Sequence, residues 1–169
     1  MAWTTPKTWT SEPLTSVDLN TYVRDNQNHL KDRIDSSASR VVSGTRNYST
    51  TATEWVDVDA RELSLTLQSH GADLLLGFAG AIHHSRDSRA TYFNIAVDDS
   101  NYFSDEGITQ FHNALQHEVF RFKPLSFVVL IPGLSPGSHV FKLRWKTSRD
   151  NSATIDIVTT HPQFWAKEI

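Results

Sequence analysis

The residues with chemistry to offer are eight histidines and a scatter of carboxylates. The histidines are His29, His70, His83, His84, His112, His117, His139 and His161. His83 and His84 are adjacent, so on a strand they point to opposite faces and cannot share a metal without a bend. No H-x-x-x-H spacing places two imidazoles on one helical face. Asp98-Asp99-Ser100-Asn101 offers enough oxygen for Ca²⁺, but it lacks the glycine-spaced loop of an EF-hand and reads first as a turn. Asp57, Asp59, Asp87, Asp105, Glu106 and Glu118 are dispersed, and their sequence positions do not define the carboxylate pair a glycosidase needs. Gly133-Leu134-Ser135-Pro136-Gly137 has a serine between glycines. Pro136 follows that serine and spoils a nucleophile elbow, so the string reads as a turn between strands. No glycine-rich phosphate loop is present. Lys142, Arg144 and Lys146 alternate with Phe141, Leu143 and Trp145, which makes them the outer face of one strand: a solvated face, an edge guarded by charge, or a contact for an acidic partner. The expectation is a protein with no catalytic residues, no metal and no cofactor.

Composition supports the same direction. The 169 residues carry 16 Lys plus Arg against 19 Asp plus Glu, a net charge of −3, which does not favour non-specific grip on nucleic acid. With no cysteine, disulfides, thiolate nucleophiles and thiolate metal sites are excluded. No apolar run reaches the length of a membrane span, and the first residues lack the apolar core of a secretory signal.

The elements that must position these side chains fall into three parts. Residues 1–15 form an arm in which Trp3, Pro6, Trp9, Pro13 and Leu14 stand among polar residues; proline makes such a segment extended, and two tryptophans in a polar arm suit a peptide that docks on another protein or one that folds back over its own assembly. Residues 16–40 hold a helix and a linker. Thr15 or Ser16 is the N-cap, Asp18 lies in the first turn, and no Pro or Gly interrupts the run to Asp35. Leu19, Val23, Leu30 and Ile34 share one side, with Asn26 in the gap and the remainder polar. A narrow seam with an asparagine in it is how a short coiled coil sets its register. The same stripe would equally serve to pack the helix on its own β domain. Ser36, Ser37, Ala38 and Ser39 read as the linker.

From residue 41 to 169 the period changes to two. Leu63, Leu65 and Leu67 alternate with polar residues, as do Phe93, Ile95 and Val97, then Phe141, Leu143 and Trp145. Ala72–Ile82 is nearly all apolar, and its glycines favour a central strand over a helix. Turn chemistry recurs at Ser69-His70-Gly71, Pro132-Gly133 and Arg149-Asp150-Asn151-Ser152. This pattern predicts a mainly β fold, a β-sandwich or jelly-roll head, preceded by the arm and one α-helix.

The string Ala2-Trp3-Thr4-Thr5-Pro6, Thr8-Trp9, Leu19-Asn20-Thr21, Arg24-Asp25-Asn26 and Leu30-Lys31 resembles an N-terminal module of bacteriophage virion and tail-associated proteins. The match covers about 30 residues at the start of the chain. The β region, from Leu130 to Trp145 and again at Phe164–Ile169, is similar in pattern to the trimeric jelly rolls of the tumour-necrosis-factor and complement-head type. The resemblance implies a non-enzymatic virion structural protein and a homotrimer. The arm, through Trp3, Pro6, Trp9 and Leu14, would anchor to another virion protein of the capsid or tail. The helix, through Leu19, Val23, Asn26, Leu30 and Ile34, would trimerise. The short chain favours head decoration or a head fibre over a tail fibre. A carbohydrate- or receptor-binding adhesin is the alternative. It would take a host-surface glycan on exposed aromatics such as Tyr92, Tyr102, Phe103 or Trp145. A hydrolase with two close carboxylates is the third reading.

Overall fold

The computed structural model describes residues 5, 8, 13, 15–34, 36–86, 89–112, 122–149 and 151–169. The anchor residues Trp3, Pro6, Trp9 and Leu14 lie outside them, as does the side chain of Ile34.

The helix begins where the capping residues put it. Thr15 accepts a hydrogen bond from the Asp18 backbone N–H at 3.1 Å, and the Asp18 carboxylate accepts one from the Thr15 N–H at 3.2 Å. This reciprocal pair closes the N-terminus. The rod then runs through Ser16–Asp18, a π-helical stretch Leu19–Arg24 and an α-helical stretch Asp25–Ile34. A π turn holds more residues than an α turn, so the regular seven-residue spacing of the stripe is interrupted there. Asn26 is buried, and its amide donates to the Tyr22 carbonyl at 3.3 Å beside that stretch. Among the described side chains of the stripe, Leu19, Val23 and Leu30 are exposed and not packed on the chain's own β domain.

Twelve strands follow: β1 Ser37–Val41, β2 Tyr48–Thr50, β3 Val56–Asp57, β4 Ser64–Ser69, β5 Leu74–His84, β6 Ala90–Val97, β7 Ser100–Asn101, β8 Thr109–His112, β9 Lys123–Ile131, β10 Gly137–Thr147, β11 Ala153–Ile155 and β12 Gln163–Glu168. All described pairings are antiparallel, in two six-stranded sheets. In the first sheet β5 is central, with β12 and then β1 on one side and β9 on the other; β11 pairs the far end of β5 and carries β2. In the second, β10 lies between β6 and the successive strands β3 and β4, while β6 carries β7 and β8. The chain is a mainly β sandwich, as the alternation predicts.

One boundary moves. Ser36–Ser39 is not a linker: Ser37–Val41 pairs residue by residue with β12, from Ser37 opposite Lys167 to Val41 opposite Gln163. Its small residues alternate, with Ala38 packed on the core and Ser39 outside, which suffices for a strand once a partner is present. The head therefore starts directly after the helix. Between the sheets lie Trp145, Phe78, Phe93, Phe141 and Phe164, all essentially inaccessible to water. Phe93 packs against Phe78 and Trp145 with ring centroids 6.3 and 6.4 Å apart, a spacing at which aromatic rings attract.

Candidate functional site

The titratable residues gather on the outer face of the second sheet. Val97 and Ser100 end β6 and begin β7, and the two residues between them, Asp98 and Asp99, both take left-handed backbone angles, φ 50° and 66°. Aspartate tolerates that region better than most side chains, which makes this pair a tight hairpin turn. The turn folds its carboxylates onto β10. Asp98 accepts from the Val140 N–H at 2.9 Å and from Nδ1 of His139 at 2.7 Å. Asp99 pairs with Lys142. Asp57 on β3 reaches the same strand from the opposite side, 2.8 Å from Arg144 Nε and 3.6 Å from Lys142 Nζ, and Asn101 accepts from Arg144 at 2.9 Å. Lys146 lies over Trp55, 4.6 Å from the ring centroid.

Two sequence signals thus satisfy each other. The acidic turn and the basic strand are an interlocked network, in which both oxygen atoms of Asp98 and Oδ1 of Asp99 are engaged by protein donors. Among the described residues no three His, Asp or Glu side chains converge as a metal-holding group. The Val140 N–H, with His139 behind it, holds the Asp98 carboxyl below the usual carboxylate range, and Lys142 does the same to Asp99.

Ser135, His139 and Asp98 have the outline of a hydrolytic triad. Ser135 Oγ is 3.4 Å from His139 Nε2, and Nδ1 faces Asp98. The details do not fit a general base. Nε2 also lies 2.9 Å from the Ser135 carbonyl, which only accepts, so that nitrogen carries its proton there. With Nδ1 donating to Asp98, the imidazole is a two-handed cation, and its bond to Asp98 raises its pKa. Pro136 supplies no N–H after the serine for an oxyanion hole. The arrangement clamps the Ser135–Gly137 loop to the Asp98–Asp99 turn.

A second acidic site was not legible as such. Glu168, two places beyond Ala166 on the inward side of β12, is buried. Its carboxylate accepts from Ser69 Oγ at 3.1 Å, from the His70 and Ala72 N–H groups at 2.8 and 3.0 Å, and faces His70 Nδ1 at 2.9 Å. Burial pushes this carboxyl up, but the His70, Ala72 and Ser69 hydrogen bonds outweigh it and hold it at about 2. The signal in the sequence was the inward alternation Phe164, Ala166, Glu168.

The outer face of the first sheet contrasts with all of this. Across β1, β12, β5 and β9 the outward residues form rows: Ser37, Lys167, Leu75, Leu130; then Ser39, Trp165, Gly77, Val128; then Val41, Gln163, Ala79, Ser126. Trp165 lies flat on Gly77, where a Cβ would stand 2.4 Å from the indole. Val41, Val128 and Leu130 are 64%, 59% and 48% exposed. A shallow groove of about 440 Å³ continues the face past Ala79, between Phe122, Pro124 and His161.

Of the aromatics named for a glycan, Trp145 is in the core, and this corrects its placement as an exposed ring. It faces inward because β10 alternates Phe141, Leu143, Trp145 toward the opposite sheet. Tyr92 lies beneath Lys146, while Tyr102 is exposed and meets Phe103 edge-on at 5.1 Å. They do not form one platform. Of the trimerisation residues, Leu19, Val23 and Leu30 are on the helix surface and Asn26 is turned into local contacts.

No family model matches the sequence. No curated protein is significantly similar to it. Among solved structures the chain is similar to the VP2 subviral particle of infectious bursal disease virus, at 13% identity and TM-score 0.45, covering 79% of this chain and 37% of that one. It is similar too to the T=1 particles derived from that virus, at 11% identity, TM-score 0.46, covering 78% and 35%. The chain thus spans about a third of the length of the structures it matches.

Proposed function

We propose that this chain is a non-enzymatic structural protein of a bacteriophage virion, a head decoration or a head or tail fibre. Its arm anchors it to another virion protein through Trp3, Pro6, Trp9 and Leu14, its helix joins three copies, and its β head is displayed. The observation that carries the reading is the exposed stripe Leu19, Val23 and Leu30 on a firmly capped helix. A lone helix of this length is marginal in water. Leaving three large apolar side chains of one face in solvent makes sense when other helices cover them. The resemblance of the first 30 residues to phage virion modules supplies the setting. The engaged state of Asp98, Asp99, His139 and Glu168 supports a role in assembly rather than turnover.

Light scattering on the full chain tests it. The expected mass is three times 19.1 kDa, and a monomer at every concentration overturns the stalk. Deleting residues 1–15 is expected to abolish co-sedimentation with particles assembled without this protein; retained binding overturns the anchor.

A further inference from the structure

We propose that the head carries a binding cleft for a small polyhydroxylated anion, a sugar bearing a carboxylate or a phosphate group. The cleft is distinct from the charged network on β10 and from the helix. It adds a ligand to the displayed head and stands apart from the assembly reading.

The cleft lies where three connections cross between the sheets: β2 to β3, β5 to β6 and β10 to β11. Loops held by a rigid scaffold are common carriers of binding residues. Here the floor is tied down. The Ser85 N–H donates to the Ser152 carbonyl at 2.9 Å, and the Ser152 N–H donates to Ser85 Oγ at 2.9 Å. The Ala52 carbonyl accepts from the Thr147 N–H at 2.7 Å, which fixes the segment between Thr51 and Thr53. The space enclosed is about 470 Å³, within the range of small-molecule sites.

Its walls hold cations without anions. Arg86 from the β5–β6 connection and Arg149 from the β10–β11 connection both line it, and both are exposed. Among the described residues neither guanidinium has a hydrogen-bond or ion-pair partner, whereas Lys142 and Arg144 on β10 meet Asp99 and Asp57. No described residue lining the cleft is acidic. Two like charges in one small cleft favour a counter-anion, and a guanidinium grips a carboxylate or a phosphate through two parallel N–H bonds.

The other lining residues decide what carries the anion. Thr51, Thr53, Ser85 and Ser152 contribute hydroxyls, which both donate and accept. Asn151 lines the same cleft and is only 4% exposed. Its Nδ2 donates to the Ala90 carbonyl at 3.4 Å, which leaves Oδ1 as an acceptor, and among the described residues Oδ1 meets no donor. A buried oxygen in that state is costly, and a ligand hydroxyl reaching the floor supplies the missing donor. No apolar or aromatic side chain is among the described lining residues. That disfavours a peptide anchored by large side chains and a nucleic acid held by base stacking. Hydroxyls and an amide around a cationic pair match a polyol with one oxyanion. Its source is a unit of an acidic polysaccharide or a free sugar acid or sugar phosphate.

Titration calorimetry on the full chain tests it. The probes are glucuronate, galacturonate, N-acetylneuraminate and a hexose phosphate, with glucose and inorganic phosphate as controls. The expected result is binding of at least one acidic sugar, none of glucose, and weaker binding of inorganic phosphate than of that sugar. Arg86→Gln/Arg149→Gln is expected to weaken binding by about tenfold or more. Arg40→Gln/Arg61→Gln removes the same charge at exposed positions outside the cleft and is expected to match wild type. Should the first pair fail to fold, Arg149→Lys keeps the charge, loses the paired N–H fork, and is expected to weaken binding in the same direction. Silence of all the acidic sugars overturns the proposal, as does an equal loss in both double variants. Inorganic phosphate binding as tightly as the best sugar overturns it too, because the hydroxyl lining then contributes nothing. Tighter binding of an oligomer of the preferred sugar than of its monomer, per sugar unit, supports the cleft with a polysaccharide as source; equal binding supports it with the free sugar. A chain that stays monomeric and still binds keeps this inference and loses the stalk.

Discussion

The two outer faces of this sandwich are built from strands of similar length and opposite finish. On the second sheet, Lys142, Arg144 and Lys146 are matched by Asp99, Asp57 and Trp55. On the first, Val41, Val128 and Leu130 stand in solvent around a tryptophan laid on a glycine. Surface ion pairs contribute little to folding, so the network on the second sheet is better understood as what makes a strand face compatible with water. The bare face lacks that treatment. The difference separates a surface whose charges are matched within one chain from a surface left apolar in solvent.

Charge buried between the faces behaves differently from charge on them, and this gives the largest expected effect. Glu168→Ala leaves Ser69, His70 and Ala72 donors without their acceptor and is expected to destabilise the head by about 3–5 kcal/mol in urea unfolding. A loss below about 1 kcal/mol would show that water replaces the carboxylate. The pH dependence follows the same group. Its carboxyl is depressed from 4.5 to about 2, so its contribution is present above about pH 4.5 and is lost as pH falls through about 2. That contribution is about 3 kcal/mol, and a Glu168→Gln chain should show a flatter acid limb.

Next in size, Gly77→Ala forces a methyl into the indole of Trp165, at a cost of about 1–3 kcal/mol. Trp165 fluorescence should shift to the red as the ring lifts off the sheet. An unchanged spectrum and Tm would show that the ring slides without loss.

A smaller effect belongs to the clamp at His139. Its pKa is raised by Asp98, so its stabilisation is complete below about pH 6.5, the ordinary histidine value, and declines as pH rises through the higher folded value. The Tm gap between wild type and His139→Gln is therefore expected to narrow from mildly acid to alkaline pH. A gap that widens would refute a protonated clamp. Smallest of all, Asp99→Asn at a fully exposed turn is expected to leave Tm unchanged to within about a degree. A clear drop there would mean that the charged face holds the sandwich together after all.

Much of the frame was legible because alternation is a strong signal. Phe141, Leu143 and Trp145 announced an inward face, and Thr15 with Asp18 announced a helix start. The order of strands was not legible. Nothing in Ser37-Ala38-Ser39 marks a strand until β12 pairs with it. The charged site was legible only as two unrelated signals, the acidic turn and the basic strand, because pairing Asp99 with Lys142 depends on which hairpin lies beside which. Glu168 was missed since a carboxylate near the end of a strand gives no hint of the turn that will wrap it. The bare face escaped notice for the opposite reason: Val128 and Leu130 look like core residues until the sheet shows which side they are on.

The place of β12 has a kinetic consequence. It lies between β1 and β5, and pairs Ser37 with Lys167, near opposite ends of the sheet-forming sequence. Closing so long a loop before any reward arrives makes folding slow, in the range of milliseconds to seconds for such topologies. Until the last strand inserts, β5 has an open edge and its apolar run is accessible, beside a β9 whose one charge is Lys123 at its start. In a cell filling with newly made copies, the race between that insertion and the meeting of unfinished neighbours decides how much usable head is produced.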